Sequence, residues 1–198
     1  MYHKGLTREL VVETAVRLIE EKGTAVFSLH NLAAELGVRT ASLYKHVSGM
    51  EDVITEVGLY ALETQKEAQI TAIGEKHGDE AVMELAKAYR RYALEHRELY
   101  KTIFSMRLNT DEFAGDKAEM ITEPVMKLLD DYPLREQEKM HWQRVLRSSM
   151  HGFITHEEAG YFVHDPAEKE DTYRILIQSF LDGMHAALSR DHEQNESE

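Results

Sequence analysis

The stretch SLHNLAAELGVRTASLYKHV, residues 28–47, carries the reading of the whole chain. Leu29, Leu32, Ala33 and Leu36 recur at helical spacing and give one apolar stripe. Ser28 stands where its hydroxyl can accept a hydrogen bond from a backbone N–H of the first turn. Gly37 follows at once, where a helix end needs a left-handed residue. Val38 fills the elbow, and Thr40 is placed to cap a second helix whose Leu43 and Val47 point inward. Arg39, Thr40, Ala41, Ser42, Tyr44, Lys45 and His46 are left on the outside. The stretch therefore predicts two short helices joined by a tight turn.

That outward set is small, polar and aromatic, with no carboxylate from Val38 to Gly49. A helix that enters a DNA major groove needs small residues at its leading end, donors for base edges and groups for phosphates. Arg39, Thr40, Ala41 and Ser42 are the candidates for base edges. Arginine can bind guanine at two points, and alanine can touch a thymine methyl. Tyr44, Lys45 and His46 are candidates for the phosphate backbone, as is Ser28 through the start of its helix. The plainer alternative is an ordinary helix pair with a polar face.

Residues 7–53 resemble the DNA-binding domain of TetR-type transcriptional regulators. The likeness lies in a first helix ending in EKG, in LAAELGV, and in LYKHV followed by a short break and a new helix. By family position, Thr40, Ala41 and Ser42 would read bases while Arg39 would reach a phosphate. One position departs from the family. Where it often carries a phosphate-touching lysine at the start of the fourth helix, this chain has Met50, followed by Glu51 and Asp52. That departure predicts a weaker grip on the DNA backbone. A second segment, WQRVLRSSMHGF at Trp142–Phe153, resembles a C-terminal domain type of some TetR regulators named for its Trp, His and Gly.

The 198 residues carry a net charge of −13. Globally that argues against nucleic acid, but its distribution does not. Met1–Ser48 sums to +1, and the remainder to −14. A near-neutral head on an acidic body is oriented by its own field. The chain has no cysteine, so disulfides and thiolate metal sites are excluded, which fits a reducing cytoplasm. MYHKGLTREL lacks the apolar core of a signal peptide. No stretch approaches the roughly 20 apolar residues of a membrane helix, so no membrane partner is expected.

Apolar spacing along the rest of the chain predicts helices only, and an all-α fold. They run over 7–22, 50–73, 80–96, 98–106, 119–132, 136–157 and 168–190, with a polar loop at 108–116. The expected domains are a three-helix helix-turn-helix head at 1–49, a larger helical bundle for effector binding and dimerisation at 50–190, and a disordered tail at 191–198. The last two long helices carry more than one apolar stripe, as a helix shared with a second copy does. Leu146, Gly152, Ile177, Phe180, Leu181 and Met184 are the candidate homodimer contacts, with Gly152 and Gly183 allowing close approach. Two-fold symmetry would imply a palindromic operator on double-stranded DNA.

The resemblance implies a small-molecule effector pocket in the body. Tyr89, Tyr92, Tyr100, Phe104, Met106, Trp142, Met150, His151 and Phe153 fall on the helices that line it in the family. Aromatics and methionines suit a largely apolar ligand, although core packing uses the same residues. No cofactor, metal or catalytic residue is expected. An enzyme is the rival class: Glu138 with His141, and Asp182 with His185, repeat the one-turn carboxylate–histidine pair of di-metal bundles. That reading needs inward carboxylates on two further helices, and none can be assigned. A helical protein-interaction module is the second rival, distinguished by weak salt dependence.

Overall fold

The computed structural model describes residues 5–106, 116–164 and 166–195. The described residues form helices and turns without strands. In chain order these are α1 (Arg8–Lys22), a short 3-10 turn (Thr24–Val26), α2 (Leu29–Glu35), α3 (Thr40–Leu43), α4 (Met50–Ile73), α5 (Gly78–Glu95), α6 (Arg97–Ser105), α7 (Asp116–Leu129), α8 (Glu136–Glu158) and α9 (Lys169–Asn195).

Among the described residues, packing defines two compact units. One falls within Met1–Gln65 and Glu95–Ala118, the other within Lys66–Leu94 and Glu119–Glu198. The sequence-based division at 49/50 separates the head by its chemistry. Packing instead groups the first part of α4 and all of α6 with it.

In the first unit, Thr7 caps α1 by accepting from Leu10 N, and Gly23 closes the helix at φ 85°. Val11, Ala15, Leu18 and Ile19 are buried, as are Leu32 and Ala33 of α2, Leu43, Val47, and Val53 and Val57 of α4. Tyr60 is exposed, and Val57, Ala61 and Leu62 complete the buried stripe of α4 without it. The short helix α6 packs on α1. Glu98 fixes this contact by accepting from Thr24 N at 2.8 Å and Thr24 Oγ1 at 3.0 Å. His96 Nδ1 lies 2.5 Å from Glu20 on α1. Gly58 is the close approach of the unit. A Cβ there would stand 2.5 Å from Met106 Sδ and 3.1 Å from Thr102 O.

In the second unit, α5 buries Val82, Leu85, Ala86, Tyr89 and Tyr92. The pair α8 and α9 packs through Leu146, Met150 and Ile154 with Ile177, Leu181 and Met184. The Tyr173 hydroxyl donates to Ala86 O at 2.9 Å, so this buried aromatic satisfies its polar end. Arg90 grips Glu157 through two bonds of 2.8 and 2.7 Å, also pairs with Glu170, and lies over the Tyr173 ring. Tyr132 donates to Asp79 at 2.7 Å, and His185 Nε2 lies 2.9 Å from the same carboxylate.

Two expectations change. Helix α7 begins at Asp116, three residues before the predicted start at 119, and Pro124 sits inside it. Helix α9 continues to Asn195, five residues into the segment expected to be disordered. No glycine or proline follows Gly183 up to Asn195, and extending a formed helix costs far less than starting one. The predicted loop at 108–116 lies outside the described residues except for its last member, as do 196–198 of the tail.

Candidate nucleic-acid interface

The turn at the centre of the head is built by caps. Ser28 Oγ accepts from Asn31 N at 3.1 Å, while Asn31 Nδ2 donates to Val26 O at 2.9 Å. At the far end of α2, Gly37 adopts φ 67°. Val38 N then reaches Ala33 O at 2.9 Å and Gly37 N reaches Ala34 O at 3.1 Å. These paired bonds are the Schellman closure, which uses a left-handed residue to satisfy the last carbonyls. They turn the chain sharply into α3.

Thr40 is the first residue of α3 and not its cap. Arg39 occupies the cap position in extended backbone, with no side-chain cap bond, and its carbonyl accepts from Ser42 N at 2.8 Å. The residue that follows a Schellman turn must run extended before the next helix, and here that residue is Arg39. After Leu43 the path stays coiled: His46 N and Val47 N both reach Leu43 O, at 2.8 and 3.0 Å. Leu43 and Val47 are buried. Arg39, Ala41, Tyr44 and Lys45 are exposed, and Thr40, Ser42 and His46 half-buried. Tyr44 is 58% exposed.

The carboxylates bordering this surface are occupied. Glu35 pairs with Arg17 at 2.7 Å and Lys22 at 3.7 Å, and the Arg17 hydrogen bond holds its carboxyl below the usual range. Asp52 pairs with Arg8 at 2.6 Å, and that bond lowers it in the same way. Asp52 and Glu56 therefore do not stand as bare charges beside Met50. Sequence spacing did not single out Arg8. The signal was present as an arginine in the first turn of α1 and acids in the first two turns of α4.

The residues expected to line an effector pocket divide. Tyr100 and Phe104 belong to the first unit; Tyr89, Tyr92, Trp142, Met150, His151 and Phe153 belong to the second. Tyr89, Tyr92, Met150 and Phe153 are buried, Trp142 and His151 half-buried. Phe153 stacks at 5.0–5.1 Å on Tyr173 and Phe162, and Trp142 meets Phe180 edge-on at 5.6 Å. Tyr173 and Phe162 thus join Phe153, and Phe180 joins Trp142, in two aromatic sets that spacing on α8 alone had not assembled. Burial, with repulsion from Arg147, lowers the His151 pKa. Phe104 is 48% exposed, because α6 buries Leu99, Tyr100, Thr102 and Ile103 and Phe104 falls off that face. On α4, Gln65 is buried with its amide nitrogen lacking an acceptor.

The dimer candidates also need correction. Leu146, Ile177, Phe180, Leu181 and Met184 are buried within a single chain. They form the core that α8 and α9 share, and a side chain already covered has no surface to lend to another copy. Gly152 is different: a Cβ there, and at Gly183, would meet nothing within 4 Å. Met140, Val145 and Ile175 are exposed on the same helices. The carboxylate–histidine pairs proposed for metals are engaged elsewhere. Glu138 bonds Arg135 and its backbone N–H, and His185 faces Asp79. Among the described residues, no three histidines and carboxylates converge to hold a metal ion.

A family model for bacterial regulatory proteins of the tetR family matches residues 11–57, and one for the tetracyclin repressor-like C-terminal domain matches residues 82–180. A Bacillus subtilis (strain 168) chain, named as uncharacterized HTH-type transcriptional regulator YobS, is 27% identical over 185 residues, covering 91% of this chain and 93% of that one. A solved protein with unknown function from Rhodococcus sp. RHA1 is similar in fold, with a TM-score of 0.74 at 22% identity, covering 92% and 97% of the two chains. So is the Streptomyces coelicolor TetR family protein ActR in complex with (S)-DNPA, with a TM-score of 0.70 at 19% identity, covering 92% and 98%.

Proposed function

We propose, on the premise that this chain belongs to the TetR family of ligand-binding, DNA-binding transcriptional regulators and is not an enzyme, that it is a homodimeric repressor released from a palindromic operator by a largely apolar effector. The observation that carries this reading is the capped elbow at Gly37. It leads into seven outward, non-acidic residues, Arg39–Ser42 and Tyr44–His46, in an otherwise acidic chain. Thr40, Ala41 and Ser42 read base edges, with Arg39 at a base or phosphate. Ser28, Tyr44, Lys45 and His46 grip phosphates.

The open face of α8 and α9 supports the dimer. Val145, Gly152, Ile175 and Gly183 replace the buried residues as its contacts, because two glycines with open space admit a close backbone approach. The aromatic group around Phe153, with His151 on the same helix, supports an effector that is apolar with a hydrogen-bonding group. Effector binding favours a form whose two heads are wrongly spaced for adjacent major-groove turns. Such a protein works in the cytoplasm, where the DNA is, and no described helix is long and apolar enough to cross a membrane.

Anisotropy with the DNA upstream of its own gene, at low and moderate salt, tests the reading. The expected result is binding that survives competitor DNA and falls with salt by about 0.9 log units per log unit for each phosphate contacted. An absence of specific binding would mean that the operator lies elsewhere or that the head has lost its grip at Met50. Sedimentation showing only monomer at micromolar concentration would remove the dimer and, with it, the palindrome.

A further inference from the structure

One guanidinium joins three segments of the head. Arg8, in the first turn of α1, donates from Nη1 to His46 O at 2.8 Å and to Asp52 Oδ2 at 3.0 Å. From Nη2 it donates to Asp52 Oδ1 at 2.6 Å and to Glu56 Oε1 at 2.9 Å. Asp52 Oδ2 accepts in addition from Ser48 N at 2.7 Å. Residues 46–52 are the covalent path from the exposed turn to α4, and Arg8 and Asp52 hold it at both ends. Helix α3 has four residues and no side-chain cap. Its own hydrogen bonds are too few to fix its angle, so the angle depends on what holds its ends.

We infer that Arg8 is a positioning residue for DNA reading. It does not touch DNA; it sets the angle at which Thr40–His46 is presented, and Asp52 is its counterpart on α4. The inference rests on the proposal that this turn reads DNA. A direct phosphate contact is the competing role for an arginine at the edge of such a head. The geometry disfavours it: four of the five guanidinium N–H groups are committed to His46, Asp52 and Glu56, which leaves no fork for a phosphate.

The two roles predict opposite signs at Asp52. By charge alone, removing a carboxylate near DNA raises affinity. By positioning, it lowers specific affinity. Asn can still accept from Ser48 N, so Asp52→Asn loosens the guanidinium fork while keeping the backbone bond.

The experiment uses the full chain and two probes. One is the duplex that the wild-type protein enriches from a randomised library; the other is a scrambled duplex of the same composition. Circular dichroism melts establish that each variant is folded at the assay temperature. Asp52→Asn is expected to weaken binding to the enriched duplex about tenfold. Its binding to the scrambled duplex should stay unchanged or rise. Arg8→Lys keeps the charge but not the fork, and is expected to fall with Asp52→Asn at an unaltered salt slope. If Asp52→Asn does not fold, Arg8→Lys carries the same test.

Asp52→Asn binding the enriched duplex as tightly as wild type would overturn the inference. So would Arg8→Lys binding like wild type while Arg8→Gln lowers the salt slope by about 0.9, the signature of one lost phosphate contact. Wild-type protein enriching no duplex is a different failure. It removes the proposed function itself, and the positioning role falls with it.

Discussion

The elbow between α2 and α3 and the pair α8–α9 are built on opposite logic. The elbow uses short helices of seven and four residues, held by Ser28, Gly37 and Asp52 through bonds to the backbone. Its buried contribution is small: Leu32, Ala33, Leu43 and Val47. The pair uses 23 and 27 residues, and apolar packing rather than caps decides which way each side chain faces. Local chemistry therefore determines the elbow, and its exposed residues follow directly from which positions the caps leave outside. In the pair, two stripes of similar composition compete. Only the three-dimensional packing tells that Ile177 is inside and Ile175, two positions earlier, is 58% exposed.

The largest effect should separate those two isoleucines. Ile177→Ala removes a fully buried side chain from the α8–α9 seam and should cost about 2–5 kcal/mol in urea unfolding of the monomer. Ile175→Ala should leave monomer unfolding within about 0.5 kcal/mol and weaken self-association instead, read by sedimentation. Equal effects on unfolding would erase the distinction between the stripes.

Gly58→Ala tests a third kind of site, a close approach inside the first unit. Met106 Sδ can move away from a new Cβ, but Thr102 O at 3.1 Å is backbone and cannot move as cheaply. The gain in helix propensity is about 1 kcal/mol, and overpacking costs about 1–3 kcal/mol. Calorimetry should show a lower melting temperature; a rise would mean that α6 relaxes away freely.

At the elbow the effects should be smaller and should split by role. Ser28→Ala removes the cap on Asn31 N and should cost about 1 kcal/mol of stability. Tyr44→Phe should leave the melt unchanged and weaken binding to all DNA sequences alike, by roughly 0.5–1.5 kcal/mol for a single hydrogen bond. A change in sequence preference with Tyr44→Phe would move that hydroxyl from phosphate to base.

The smallest effect concerns acid. The Arg8 hydrogen bond holds the Asp52 carboxyl below its ordinary value. The unfolded state then takes up the proton first as the pH drops. Stability from this pair is present above about pH 4 and is lost as the pH falls further, through the folded-state value. Urea melts at about pH 6 and about pH 3 should differ less for Asp52→Asn than for wild type. An equal difference would show that other carboxylates carry the acid limb.

Much of the head is legible from residue identity. Ser28 and Gly37 announce their backbone roles because few residue types satisfy a free N–H or a left-handed turn at low cost. The sequence misplaces Thr40 by one position because threonine is both a good cap and an acceptable first helical residue, and only the extended Arg39 decides between them. Arg8 was invisible because its partners lie 38–48 residues away. The exposure of Phe104 and the burial of the α8–α9 stripe share one lesson: hydrophobicity at helical spacing marks a face that wants cover without saying what covers it.

The sequence by itself determined that this chain is helical, that residues 28–47 form a capped turn with no carboxylate from Val38 onward, and that the acid is concentrated beyond Ser48. These are properties of neighbouring residues and their sum. The tertiary structure alone decided which apolar stripe of α8 and α9 lies inside, that α6 packs with the head, and that Asp52 and Glu56 are held by Arg8. Those depend on contacts between residues far apart in the chain, whose energies come from burial and geometry that no local window contains.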